Sequence, residues 1–196
     1  GVKPKTLARY RAEAPDGAEF VVTVSPDVAA AGFLGEQAQS AWLETMAVAK
    51  ALNAGQVLLK TPPAFRPTRS NRDALTQFVS DRRDDVSRIV WLPEGLWESQ
   101  PDDVNGVCAD TGLVPVCDPL GLEDLEDIPR GEIFYWRLLG RRGLRSGFSD
   151  YELDMLMELV LTRREGHISF SSPNMFGEAR RFSALLREEL AVMDDD

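Results

Sequence analysis

Gln56-Val57-Leu58-Leu59-Lys60, closed by Pro62-Pro63, then a helical stretch to Ser80, then Arg88-Ile89-Val90-Trp91-Leu92: this run decides the fold. Its two ends are short, rich in Val, Ile and Leu, and almost unbroken in apolarity, as strands buried on both faces are. The stretch between them starts at a Ser70 cap with Asp73 at the reciprocal position. It turns Leu75, Phe78 and Val79 inward. A buried strand, an amphipathic helix and a second buried strand make a crossover between parallel neighbours.

The same alternation extends both ways. Glu19–Val24, Leu113–Cys117, Glu132–Leu138 and His167–Phe170 read as further strands. Gly35 to Asn53 repeats Ala38, Trp42, Met46, Ala49 and Leu52 at helical spacing, with Gly55 as the stop. Pro101 to Asp110 is a short helix with a first-turn proline. Ser149-Asp150-Tyr151-Glu152 is a capping box ahead of Leu153, Leu156, Met157, Val160 and Leu161. A last helix over 175–192 turns Ala179, Phe182, Leu186 and Leu190 inward. The acidic stretch Gly121 to Asp127 stands where a helix is due, and Asp194 to Asp196 reads as a frayed tail. No hairpin signal separates the strands. The expectation is an α/β chain, a TIM-like parallel β/α barrel that is incomplete or open, with about six strands, as one domain over residues 1–196.

Bulk properties exclude several classes. The chain has 196 residues, 43% apolar and 28% charged, ample for a core without staples. A net charge of −10 argues against wrapping duplex nucleic acid over a broad surface, while a local basic patch still suits a small anion. No apolar run approaches the roughly 20 residues that cross a bilayer, so no membrane role is expected. Gly1-Val2-Lys3-Pro4-Lys5 leads into no apolar signal region. Cys108 and Cys117 form no CxxC and read as two buried free thiols of a cytoplasmic protein. Neither a P-loop nor a dinucleotide fingerprint is present, so no cofactor is expected.

In such a fold, functional groups sit where strands end. Arg137-Leu138-Leu139-Gly140-Arg141-Arg142-Gly143-Leu144-Arg145-Ser146-Gly147 puts four arginines and three glycines after a buried strand. Glycines let amides approach a ligand, and arginine holds carboxylate or phosphate with two N–H groups. Arg137, Arg141 and Arg142 are therefore anion-ligand candidates. The plainer reading is a solvated basic loop paired with Glu123 to Asp127. Glu94 and Asp118 are candidate paired carboxylates for acid–base work, against ordinary surface placement. Lys60 is an anion ligand or a Schiff-base amine if desolvated, and otherwise a lysine reaching for solvent. Trp91, Trp97 and Trp136 suit a stacking floor or a core, with Trp97, in a loop after Gly95, the most open to a ligand. His167 is the sole histidine, which removes most histidine metal sites and Ser-His-Asp schemes, and its place at the start of a strand favours a structural role. No metal site is expected.

Several pieces, in order, resemble the YecE-like family, a family of unknown function with a TIM-barrel fold. They are Ala14 to Val22, Val57 to Thr68, Ile89 to Trp97, Val116-Cys117-Asp118-Pro119, Phe134 to Gly140, and Phe170-Ser171-Ser172. The likeness covers nearly the whole chain. It implies a pocket at the strand ends, and Ser171 and Ser172 enter the ligand candidates because they stand where the family has paired asparagines. The departures matter as much. The family's lysine position holds Thr23, its glutamate is Leu92, its arginine is Glu94 and its histidine is Leu139. Arg137 and Asp118 stay as the family has them. Relatives begin with a "GtSGW" strand and a "vEiNsTFY" strand that are not in this sequence, so the resemblance implies two strands fewer than a closed ring.

Two readings follow. The first is a non-catalytic, protein- or ligand-binding YecE-like barrel whose pocket has lost its acid–base groups. Its open edges would take a partner protein or a second copy. The alternative is an enzyme on a small anionic, phosphate-bearing substrate. Arg137, Arg141 and Arg142 would hold the anion, and Glu94 or Asp118 would move the proton.

Overall fold

Strands and helices alternate along the chain because short apolar runs alternate with stretches of helical period. The structure, a computed structural model, describes residues 2–139 and 147–194. Among them the strands are β1 (Val21–Thr23), β2 (Gln56–Thr61), β3 (Arg88–Pro93), β4 (Val114–Cys117), β5 (Ile133–Leu138) and β6 (Glu165–Phe170). The helices are α1 (Pro4–Glu13), α2 (Pro26–Ala30), α3 (Gly35–Leu52), α4 (Arg69–Ser80), α5 (Pro101–Thr111), α6 (Asp150–Leu161) and α7 (Met175–Asp194). The strands pair in parallel in the order β1-β2-β3-β4-β5-β6. Sequential parallel order is that of a β/α barrel. β1 and β6 each have one strand neighbour among the described residues, so the fold is the open α/β type expected.

The chain divides into two compact units, Gly1–Pro115 and Val116–Asp196. In the first, β2 and β3 pair over their full lengths, Gln56 opposite Arg88 through Thr61 opposite Pro93. Val57, Leu59, Ile89 and Trp91 pack in one core with Trp42, Leu75, Phe78, Phe33, Phe65 and Trp97. Buried indoles need partners for their N–H groups. Trp42 donates to the Asp85 carboxylate at 2.7 Å, Trp91 to Thr61 Oγ1 at 3.1 Å, and Trp97 to the Phe65 carbonyl at 2.5 Å.

Two helix caps differ from the sequence reading. Thr68, not Ser70, caps α4, its hydroxyl accepting the Asn71 N–H at 3.3 Å. Thr68 has extended backbone, as a cap requires, while Ser70 is already helical. Asn53, not Gly55, ends α3: Asn53 takes the left-handed conformation at φ 53°, which Asn tolerates better than most residues. A 3-10 turn, Gly95–Ser99, also forms where a loop is read.

In the second unit, β5 and β6 pair from Ile133–Glu165 to Leu138–Phe170. Phe134, Trp136 and Leu138 are buried with Leu153 and Leu156 of α6, Phe182 of α7, and Phe148 and Phe170. By the two-residue period of a strand, Ile133, Tyr135 and Arg137 lie on the opposite face, alongside Glu165, His167 and Ser169. The capping box that starts α6 forms as read: Ser149 Oγ accepts the Glu152 N–H at 3.3 Å, and the Glu152 carboxylate accepts the Ser149 N–H at 2.8 Å. Gly166 lies opposite Phe134, where a Cβ would come within 2.4 Å of the ring.

Candidate functional site

The carboxyl ends of β4, β5 and β6 carry four of the predicted residues in the second unit: Asp118, Arg137, Ser171 and Ser172. Asp118 follows β4 directly and is half-buried. One carboxylate oxygen accepts the Leu139 N–H at 2.9 Å, and the other accepts the Leu120 N–H at 3.2 Å. Burial pushes its carboxyl above the ordinary range, and the backbone N–H groups of Leu139, Leu120 and Gly121 pull against that shift. Both oxygens are thus engaged in holding the chain after β4 and β5.

Arg137 lies in β5 with its side chain toward the loop after β6. Its Nε donates to Ser171 Oγ at 3.3 Å. Ser171 is itself fixed by its N–H donating to the Leu138 carbonyl at 2.8 Å. Among the described residues, no carboxylate lies within ion-pair distance of the guanidinium. Its two terminal amino groups are the donors that bind oxyanions in pairs. The neighbouring serines part here. Ser171 is exposed, while Ser172 is buried at 4% exposure with no hydrogen-bond partner for its hydroxyl among the described residues. Arg141 and Arg142, with Arg145, lie outside the described residues.

Two residues beside Arg137 were not singled out as ligands from the sequence. Tyr135 precedes it by one side chain on the same face, and His167 lies opposite Tyr135 in the register. Their rings stack with centroids 6.1 Å apart and planes 21° apart. Burial pushes the Tyr135 phenol up, and the Arg137 charge pulls it down. His167 therefore sits inside β6 and not at its start, and on the face that carries Arg137. The signal was available: residues two apart on a strand share a face.

The first unit holds the other candidates. Lys60 lies on β2, half-buried, opposite Leu92 of β3. Glu94 follows β3, half-buried, its N–H donating to the Thr61 carbonyl at 3.1 Å. Trp97 is a correction. It has no exposed surface, packs edge-on to Trp91 at 5.0 Å and stacks near Phe65, so it is core and offers no face to a ligand. The glycine before it explains this: Gly95 at φ 72° runs against Pro63 and turns the indole inward. Trp91 and Trp136 are equally buried, so no stacking floor of tryptophans exists.

Among the described residues, no three His, Cys, Asp or Glu side chains converge as a metal ion would require. Cys108 and Cys117 are free thiols, and burial pushes each up to about 12. A groove of about 450 Å³ lies between α4 and α5, rimmed by Asp73, Asp102 and Asp110 beside an Arg72–Asp103 ion pair. It is on the helical side of the first unit, away from the strand ends.

No protein-family model matches the chain, and no curated protein matches it. A solved structure does: a DUF72 family protein from Thermotoga maritima, 14% identical, with a TM-score of 0.66. The match covers 97% of this chain and 80% of that one. At this identity the likeness shows the fold and not the chemistry. Among the described residues, no helix is long and apolar enough to cross a membrane.

Proposed function

We propose that this chain is a non-catalytic, ligand-binding protein of the YecE-like type that holds a small oxyanion at Arg137 and Ser171. In this reading residues 1–196 form one such domain, and the two free thiols suit the cytoplasm. The observation that carries it is Arg137, fixed by a serine hydroxyl with no carboxylate partner among the described residues. A structural arginine half-buried at a strand end would ordinarily be neutralised by an acid. The case against catalysis is the use made of Asp118, whose two oxygens hold backbone N–H groups. Leu92 and Leu139 add nothing that moves a proton. Ser171 is hydrogen-bonded to a cation and not to a base, so it is not activated as a nucleophile. Of the expected partners, a small anion and a protein or second copy at the β1 or β6 edge, the Arg137–Ser171 pair favours the anion.

Inorganic phosphate titrated into the full chain by calorimetry tests this. Saturable binding that Arg137→Ala removes and Ser171→Ala weakens supports it. Equal binding to wild type and Arg137→Ala sinks it. One feature favours the enzyme alternative: burial raises the Asp118 carboxyl above the ordinary carboxylate range, the direction a general acid needs. That reading requires turnover of a phosphate ester that Asp118→Asn abolishes. The proposed reading expects no turnover in either protein.

A further inference from the structure

We propose that the face of β5 and β6 bearing Arg137 binds a mononucleotide, with its phosphate at Arg137 and Ser171 and its base against the stacked Tyr135 and His167 rings. This deepens the oxyanion reading above and rests on it.

Tyr135 pairs with His167 and Arg137 with Ser169, so rings and cation occupy successive levels of one face. Successive same-face positions on a strand are about 6.6 Å apart, roughly the reach of one sugar. The two rings stack at 6.1 Å with their planes 21° apart, and both side chains are half-buried, so part of each meets solvent. The residue opposite Arg137 is Ser169, a small neutral side chain that offers the guanidinium no carboxylate. An acidic residue there would neutralise it.

Charge along the face sets the direction. Arg137 and Ser171 lie at the carboxyl ends of the strands, one level above the rings. A ligand with one anionic and one planar end fits one way round: phosphate at the arginine, ring one level below. An aromatic pair takes any base, because every base presents a π-face. The net charge of −10 works against a polynucleotide and much less against a single phosphate.

The test is titration of the full chain with AMP, adenosine and inorganic phosphate, read by calorimetry. AMP is expected to bind about tenfold tighter than phosphate, the gain a stacked base supplies. Tyr135→Ala is expected to bring AMP down to the level of phosphate without changing phosphate itself. Tyr135→Phe, which keeps the ring, is expected to hold AMP affinity and so guards against loss of the fold. Arg137→Ala is expected to weaken both ligands. AMP no tighter than phosphate, or unaffected by Tyr135→Ala, overturns this inference. If phosphate binding is still lost in Arg137→Ala, the oxyanion reading stands without it. Failure of both ligands to bind overturns both.

Discussion

The carboxylate of Asp118 accepts the backbone N–H of Leu139 across 2.9 Å, joining the chain after β4 to the chain after β5. The acid that a sequence reading offers for proton transfer thereby holds the backbone of Leu139, the residue that follows β5. Removing it takes the acceptors from two backbone N–H groups, Leu139 and Leu120. Asp118→Ala is expected to cost about 1–3 kcal/mol, measured by urea unfolding at neutral pH.

The same residue gives a pH dependence with a definite sign. Burial raises the Asp118 carboxyl in the folded chain above its ordinary value of 3.8. The folded state therefore binds this proton more tightly than the unfolded state. Its contribution is most favourable below 3.8 and declines as pH climbs through the raised value. Asp118→Asn has no proton to lose. Urea midpoints measured from acid to neutral pH should show the wild type losing ground to Asp118→Asn across that window. Parallel curves would contradict it.

Trp97 is predicted to matter for stability and not for ligand binding. It is fully buried, and its N–H is the donor to the Phe65 carbonyl. Trp97→Ala is expected to cost about 3–5 kcal/mol. Trp97→Phe is expected to cost about 1–3 kcal/mol for a carbonyl left without its donor. Calorimetry on Trp97→Phe, where folded, should give wild-type phosphate affinity.

Gly166 is required by the ring opposite it. An added methyl would come within 2.4 Å of the ring of Phe134, which is buried. Gly166→Ala is expected to destabilise by about 1–3 kcal/mol in urea unfolding. The double variant Gly166→Ala with Phe134→Leu should recover part of that loss.

The two thiols should be inert in the native protein. Burial pushes both up to about 12, so almost no thiolate exists at mildly alkaline pH. Iodoacetamide at pH about 8 is expected to label Cys108 and Cys117 slowly in the native chain and quickly in urea, as read by mass spectrometry.

How much of this was legible in the sequence depended on which residues spoke for themselves. β2 and β3 were readable because Val57-Leu58-Leu59 and Ile89-Val90-Trp91 are apolar throughout. The Ser149–Glu152 box was readable because two residue types at fixed spacing carry it. The start of α4 was not, since Thr68 and Ser70 both offer a hydroxyl and only the backbone at Thr68 decides between them. Trp97 misled for a related reason: Gly95-Leu96-Trp97 has no period, yet the 3-10 turn drives the indole into the core. In the proposed site, Asp118 and Arg137 stand out in the sequence because strand ends are where such folds place polar groups. Tyr135 does not, because Ile133-Phe134-Tyr135-Trp136 reads as one apolar run. That run hides which alternate residues face the α6 and α7 core.

The most direct test of the account is a crystal of the full chain soaked in phosphate. Phosphate density is expected within hydrogen-bond distance of the Arg137 guanidinium and Ser171 Oγ, with Asp118 still bonded to the Leu139 N–H. An Arg137 side chain closed onto a carboxylate, with no phosphate beside it, would contradict the account.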